Sequence, residues 1–330
     1  MKFVTPQSVF SIGAIRRPLL AVFLFTLAGP VVQAQSRTAS AASYLDRGNA
    51  WYKKGEVERA ITDYSLAIAT DPRLDSAYYL RGLARYDKRD HDGALTDFNK
   101  ALEINPHYAN AYIWRGNIWE AQGELNQAIA DYNQAIKFDP RSAHAYSNRG
   151  GARRRQGDLD GAMTDCNRAI ALDPRLAEAY NHRGLALQEK DDLAGAIADY
   201  TKALALNPRL AGGYYNRGNA FVVKRDFDRA LADFNQAIKL NPQWAEAYIN
   251  RGTVQLAKGE MEPALADYDQ AIKLAPRLAS AYANRGLARL LQGQAAEAQK
   301  DFDQCLALDP NSRPALEQRI NIVKQRLGAK

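Results

Sequence analysis

Residues 177–210 read AEAYNHRGLALQEKDDLAGAIADYTKALALNPRL, and this pattern recurs along the chain at a fixed spacing of 34 residues. Eight prolines mark the period: Pro72, Pro106, Pro140, Pro174, Pro208, Pro242, Pro276 and Pro310. Eight Arg-Gly pairs follow the same spacing, from Arg47-Gly48 to Arg285-Gly286. A frame that starts at Ala41 holds eight copies. Such a period predicts a stacked array of small units without a single deep core.

Each copy has the pattern of two helices joined by a turn. In the quoted copy, apolar residues have helical spacing in 177–187 and again in 193–204, and polar residues 190–192 separate the two runs. Asn207-Pro208 ends the second run, because proline disfavours a helical conformation in the residue before it. We therefore predict helix A, turn, helix B, turn in each of eight repeats: 41–74, 75–108, 109–142, 143–176, 177–210, 211–244, 245–278 and 279–312.

Several positions of the repeat are the same in every copy. Counting Ala177 as position 1, Tyr is always at position 4, Arg at 7, Gly at 8, Ala at 20 and Asp at 23. Glycine inside a helix costs about 1 kcal/mol relative to alanine, so its recurrence at position 8 predicts a close approach of helices A and B. We predict that the Arg at position 7 pairs with the Asp at position 23 of the same repeat. The alternative is a ladder of Arg or Asp side chains that contacts a ligand.

These residues carry a family resemblance. Tyr at position 4, Gly at 8, Ala at 20 and 27, an aromatic residue at 24 and Pro at 32 resemble the tetratricopeptide repeat over residues 41–312. The Tyr-x-x-Arg-Gly form is similar to the repeat arrays of the O-linked N-acetylglucosamine transferases, whose transferase domain has no counterpart in this sequence. The resemblance implies an all-α, right-handed α-solenoid that acts as a non-enzymatic protein-interaction scaffold.

The same resemblance implies that helix A lines a concave groove through positions 2, 5, 6, 9, 12 and 13. Position 6 of the last five repeats reads Asn148, His182, Asn216, Asn250 and Asn284. A primary amide both donates and accepts hydrogen bonds, so such a ladder can bind the backbone of an extended peptide. The remaining groove candidates are Asn49, Asn117, Asn219, Tyr79, Trp114, Arg154 and Arg155. The alternatives are polar residues tolerated on a hydrated surface and, for the aromatic residues, packing against neighbouring helices.

The two ends of the chain differ from the repeats. Lys2, Arg16 and Arg17 precede an uncharged stretch, 18–32, and small residues end at Ala34, which is the pattern of a secretory signal peptide. We expect residues 1–34 to be removed, 35–40 to be a flexible leader, and the protein to be exported to the periplasm or the extracellular space without a stable membrane span. An uncleaved anchor and twin-arginine export are the alternatives. Residues 313–330 are predicted to form a capping helix.

Other classes of function have little support in the sequence. Catalytic signatures, metal-ligand spacings and cofactor-binding loops are not found, so we predict no enzyme activity, cofactor or metal site. The formal charge of +7 falls to +4 when the three basic residues of 1–34 are subtracted, which argues against nucleic acid as a partner.

The sequence leaves a structural alternative open and makes one prediction about thiols. The alternative function is a self-associating structural component of a cell-envelope assembly, joined through the first repeat, where Tyr44, Leu45 and Trp51 have no preceding helix to cover them. Cys166 and Cys305 lie four repeats apart, too far for a disulfide, which requires Cα atoms within about 7 Å. We predict two buried free thiols.

Overall fold

The computed structural model describes residues 40–328, and all the regular secondary structure in this part of the chain is helical. Its helices are α1 (Ala41–Lys53), α2 (Val57–Thr70), α3 (Asp75–Asp87), α4 (His91–Ile104), α5 (Ala109–Ala121), α6 (Leu125–Phe138), α7 (Ala143–Arg155), α8 (Leu159–Leu172), α9 (Ala177–Glu189), α10 (Leu193–Leu206), α11 (Ala211–Val223), α12 (Phe227–Leu240), α13 (Ala245–Ala257), α14 (Met261–Leu274), α15 (Ala279–Leu291), α16 (Ala295–Leu308) and α17 (Arg313–Gly328), with a 3-10 turn at Pro310–Ser312 before the last. The predicted signal peptide and residues 35–39 of the predicted leader lie outside the described residues.

Odd-numbered helices α1 to α15 are the A helices and even-numbered helices α2 to α16 the B helices of eight repeats. Each A helix packs against the B helix of its own repeat, and each B helix packs against the next A helix. The predicted all-α, right-handed solenoid is confirmed. Both cysteines are buried and free, as predicted, and burial raises the pKa of the Cys166 thiol to about 12.

Glycine at position 8 gives room to an aromatic ring of helix B. A Cβ atom on Gly48 would lie 2.6 Å from the ring of Tyr64, a distance that non-bonded carbon atoms do not tolerate. The carbonyl oxygen of the position-20 alanine lies close as well, 3.1 Å from a Cβ placed on Gly252. The predicted close approach of helices A and B is therefore present, and it serves the packing of the position-24 ring.

The predicted pair between position 7 and position 23 is present in all eight repeats. Nε and Nη2 of each arginine donate to the two carboxylate oxygens of the aspartate, at 2.6–3.0 Å. The aspartate side chains are at most 9% exposed. The hydrogen bond from Arg47 lowers the pKa of Asp63. The carboxylates are thus occupied within the fold.

The arginine at position 7 also joins successive repeats, which the sequence did not lead us to predict. From the second repeat onward its Nη1 donates to the side chain at position 25 of the preceding B helix, as Arg149 does to Asn133 at 2.7 Å. In every repeat the guanidinium lies over the position-4 tyrosine ring, 5.3–5.8 Å from its centroid. One side chain therefore contacts helix A, helix B and the preceding repeat.

The turn between helices A and B requires a positive φ at its second residue. Five repeats have glycine there, including Gly55 with φ of 78°. The other three repeats use Arg89, Asp191 and Arg225, with φ between 58° and 64°. Glycine is therefore a preference in this turn, and the repeats tolerate the left-handed conformation in a residue with a Cβ atom.

Helix α17 caps the array, but it does not pack in the position that the A helix of a ninth repeat would take. Its Leu316 and Val323 are buried against repeat 8, whereas Leu327, one turn further along the helix, is 38% exposed. α17 packs on α15 and leaves a cleft of about 580 Å³ between itself and α16. Arg319, although in register with position 7, donates to Asn284 on α15 at 2.6 Å and not to an aspartate of a B helix.

Candidate functional site

The A helices form the inner surface of the solenoid. Neighbouring A helices contact one another, most extensively α7 with α9, whereas neighbouring B helices of the described chain make no comparable contacts. The A helices are thus closer together than the B helices, and the array curves toward them. The groove that we predicted from positions 2, 5, 6, 9, 12 and 13 of helix A is this concave side.

The asparagines at position 6 are held by the preceding repeat. Nδ2 of Asn148 donates to Oδ1 of Asn117 at 2.8 Å, and Nδ2 of Asn250 donates to Oδ1 of Asn219 at 2.8 Å. These bonds join four residues that the sequence placed in the groove into two pairs. Each pair links a position-6 side chain to the position-9 side chain one repeat earlier.

Asn216 uses a different partner, one that was not among our site candidates. Its Nδ2 donates to Oδ1 of Asn181, at position 5 of the preceding repeat, at 3.0 Å. Nδ2 of Asn250 has a second bond of this kind, to the hydroxyl of Tyr215 at 3.0 Å. Position 5 therefore helps to orient the ladder, and no feature of the sequence distinguished it from the other groove positions.

One side of each of these amides remains available. The Oδ1 atoms of Asn148, Asn216 and Asn250 accept no hydrogen bond from the described residues, and all three side chains are partly exposed. The inward bonds through Nδ2 restrict the rotation of each amide plane. The central groove thus presents a row of pre-oriented acceptor oxygens, one per repeat, interrupted at repeat 5 by histidine.

His182 takes the asparagine position in repeat 5. Its Nδ1 lies 3.0 Å from the carbonyl oxygen and 3.2 Å from the hydroxyl of Ser147. A Cβ on Gly151 would lie 3.2 Å from the imidazole, so glycine at this position makes space for the ring. Burial lowers the pKa of His182, although the bond to Ser147 opposes this shift. A neutral imidazole is favoured here.

Asn284, the last member of the predicted ladder, is covered. Its side chain accepts the bond from Arg319 of the capping helix, and the residue is only 9% exposed. The C-terminal helix occupies the groove at this point. The exposed part of the ladder therefore ends at Asn250 in this structure.

Aromatic residues replace the ladder in repeats 2 and 3. The rings of Tyr79 and Tyr108 lie 4.8 Å apart between centroids, and Tyr86 meets Trp114 edge-on at 5.1 Å. Tyr79 and Trp114 are partly exposed, and burial raises the pKa of Tyr79. The rings pack on neighbouring helices, as the alternative interpretation predicts, and their contact with a ligand stays a prediction.

The remaining candidates contact residues of their own or a neighbouring repeat. Asn49 accepts a hydrogen bond from the Tyr64 hydroxyl at 2.9 Å. Arg154 pairs with Glu189 of the next repeat. Arg155 donates to the backbone carbonyl of Glu120 in the preceding repeat at 2.8 Å and lies 3.4 Å from its carboxylate. Both arginines are thus neutralised by groove carboxylates.

Three of the predicted site residues meet at one cavity. It has a volume of about 420 Å³ and lies between α5, α7 and α9. Trp114, Asn117 and Asn148 line it, together with five further residues: Asn110, Ile113, Ser142, His144 and Glu178. Position 2, which supplies Asn110, His144 and Glu178, is the part of this site that the sequence indicated least clearly.

Metal sites and membrane-spanning helices were sought among the described residues. No group of three or more His, Cys, Asp and Glu side chains within residues 40–328 is placed to hold a metal ion. In the same part of the chain, no helix has both the length and the apolar character that crossing a bilayer requires.

Solved structures with the same architecture cover most of the chain. The APC/C hetero-tetramer Cut9-Hcn1 matches with a TM-score of 0.69 and 16% identity over 88% of this chain, which spans 57% of the matched chain. A tetratricopeptide repeat protein from Parabacteroides merdae has a TM-score of 0.60 and 18% identity, over 75% of this chain and 98% of that one. Pseudomonas aeruginosa pilF has a TM-score of 0.56 and 21% identity, over 67% of this chain and 96% of that one. At these identities the likeness shows the fold alone.

Family models agree with the structural comparison. The model described as TPR repeat matches residues 48–89, 116–153 and 150–191. Models described as tetratricopeptide repeat match residues 76–108, 177–210, 215–279 and 279–312, so that the matches together span well over half of the chain. No curated protein matches significantly. The chain belongs to the tetratricopeptide-repeat family, whose members generally mediate protein–protein interactions.

Proposed function

We propose that this protein is a non-enzymatic scaffold that binds an extended peptide segment of a partner protein in its concave groove. The observation that carries the proposal is the row of oriented amides at Asn148, Asn216 and Asn250, whose Oδ1 atoms accept no hydrogen bond from the described residues. A backbone N–H is the one donor that nearly every residue of a peptide supplies. Such a row suits recognition that is largely independent of ligand sequence.

The spacing of the row fits an extended ligand. Neighbouring A helices are in contact, which places their axes about 8–10 Å apart. An extended chain advances about 3.3 Å per residue, so the position-6 side chains of successive repeats would meet every third residue of the ligand. Because the amides are held by the preceding repeat, little side-chain entropy is lost when the peptide binds.

The test compares two pairs of asparagines. Peptides selected from a displayed random library on the purified protein are titrated by calorimetry against the variant Asn216→Ala with Asn250→Ala. Two lost hydrogen bonds at about 1 kcal/mol each predict an affinity at least tenfold weaker.

The matched control is Asn133→Ala with Asn235→Ala, because these exposed asparagines of helix B also bond to a neighbouring repeat but lie outside the groove. The control should keep the wild-type affinity. Equal loss in both variants, or no loss in the groove variant, contradicts the proposal.

We also propose that the protein is exported after cleavage following Ala34. The charged start, the uncharged stretch 18–32 and the small residues before Gln35 support this. The intact mass of the protein recovered from its native compartment should correspond to a chain that begins at Gln35. A mass that includes residues 1–34 contradicts cleavage.

Self-association through the first repeat is a second candidate. Ser43 and Ala50 are exposed, whereas positions 3 and 10 are buried in every other repeat. The Arg47 side chain is 52% exposed, far more than its equivalents. By contrast, Tyr44, Leu45 and Trp51, which we had expected to form the contact, are partly buried. Light scattering of the wild type should show a molar mass that rises with protein concentration, whereas Ala50→Arg should stay monomeric. A wild-type protein that is monomeric at all concentrations excludes this candidate.

A further inference from the structure

The cavity between α5, α7 and α9 has an uncompensated negative charge. Glu178 at its edge is exposed and makes no ion pair with the described residues. The two cationic residues of the neighbouring groove, Arg154 and Arg155, are already paired with Glu189 and Glu120. None of the eight residues that line the cavity is lysine or arginine, so a ligand group that enters it meets a carboxylate and no guanidinium or ammonium group of the wall.

Oxygen atoms that can accept a hydrogen bond are among the polar groups left unused in this cavity. Oδ1 of Asn117 already accepts from Asn148, and the Oδ1 of Asn148 is without a donor among the described residues. With the carboxylate of Glu178, the wall offers oxygen atoms to a donor. Lysine and arginine are the side chains that donate and never accept.

Trp114 adds an aromatic surface to the same cavity. It lines the wall together with Ile113, so the cavity has an apolar part beside its polar residues. A cation over an indole face gains about 0.5–1 kcal/mol at an exposed site and more when water is excluded. A long side chain with an apolar stem and a cationic end suits both parts.

We infer that this cavity binds the side chain of a lysine or arginine residue of the captured peptide. The inference rests on the proposed function, since the groove amides hold the ligand backbone and the cavity selects one of its side chains. The groove would then combine recognition of any extended chain with a preference for a basic residue at one place.

The experiment uses the displayed random library of extended peptides. Sequences enriched on the wild-type protein should share a lysine or arginine at one position. Replacing that residue by norleucine in the synthetic peptide should weaken binding about tenfold. The preference should shrink in high salt, because exposed charges are screened.

Two variants at position 2 distinguish a specific contact with Glu178 from a general attraction of basic peptides to an acidic groove. Glu178→Gln should bring the ratio of lysine to norleucine affinities close to one. Glu246→Gln, which removes an equally exposed carboxylate from position 2 of repeat 7, should leave the ratio unchanged. Trp114→Leu should reduce the ratio by a factor of two to five.

The outcomes also distinguish this inference from the proposed function. Enrichment of peptides without a common basic residue, or a ratio that survives Glu178→Gln, overturns the side-chain site while peptide binding stands. A library from which nothing is enriched overturns both.

Discussion

Helix A has two faces that use adjacent positions of the repeat. The amino acid is the same in every repeat on one face and varies on the other. Position 7, which faces helix B, is arginine in all eight repeats, whereas position 6, which faces the groove, is Asp46, Leu80, Trp114, Asn148 or His182 in the first five. The first face makes the same contact in every repeat. The second has contacts that differ from repeat to repeat. The difference separates residues that build the array from residues that are free to specify a ligand.

The constraint at the A–B contact follows from the burial of charge. The aspartates at position 23 are nearly inaccessible, and a buried carboxylate is tolerated only when its hydrogen-bond capacity is satisfied. The bidentate arginine provides two bonds, and its third nitrogen fixes the preceding repeat. A substitution at either residue would therefore disturb three helices at once.

The largest effect is expected where one buried aspartate serves two arginines. Asp165 accepts from Arg149 at 2.6 Å and 2.8 Å and from Arg153 at 2.9 Å. Asp165→Ala removes the buried carboxylate that both guanidinium groups share, and removing one partner of a buried ion pair costs about 3–5 kcal/mol. Chemical denaturation should show a correspondingly lower free energy of unfolding.

The control for this prediction is the other partner of the same arginine. Asn133 accepts from Nη1 of Arg149 but is exposed, so Asn133→Ala should cost less than about 1 kcal/mol. Similar losses in the two variants would show that the A–B contact is no more constrained than the outer surface.

A smaller contrast lies within a single helix. Gly218 of α11 faces the A–B contact, and a Cβ there would lie 2.9 Å from the Phe234 ring, whereas a Cβ on Gly212 would meet nothing within 4 Å. Overpacking predicts that Gly218→Ala destabilises the protein by about 1–2 kcal/mol. Gly212→Ala should be neutral or stabilise by up to about 1 kcal/mol, because alanine favours the helix. Thermal melts of both variants check the sign; stabilisation by Gly218→Ala contradicts the packing argument.

The same two faces explain how far the sequence determined the structure. The period, the helix pairs, the Arg–Asp pair and the buried Cys166 follow from residues that recur at one spacing, so each contact is repeated eight times in the pattern. The path of α17 over Asn284 could not be predicted in this way, because the sequence of α17 occurs once and has no second copy with which it can be compared. The bonds of Asn216 to Asn181 and of Asn148 to Asn117 also escape prediction, since the groove side chains choose between neighbours that differ from repeat to repeat.

The smallest predicted effect concerns the one histidine in the ladder. Burial lowers the pKa of His182, and the charges of Glu120 and Arg154 act on it in opposite directions. In the unfolded chain the ring titrates near its ordinary value of about 6.5. Between the lowered folded pKa and that value, the unfolded state binds more protons, so the contribution of His182 to stability is complete above about pH 6.5 and is lost as the pH falls.

His182→Asn tests this sign and restores the residue found in the other repeats of the ladder. The free energy of unfolding of the wild type should fall between pH 7.5 and 5.5 by on the order of 1 kcal/mol more than that of the variant. The asparagine does not titrate, and all other groups are shared, so the difference between the two curves isolates the ring. Parallel curves would mean that the imidazole accepts its proton in the folded groove, and position 6 of repeat 5 would then face the groove as an exposed side chain.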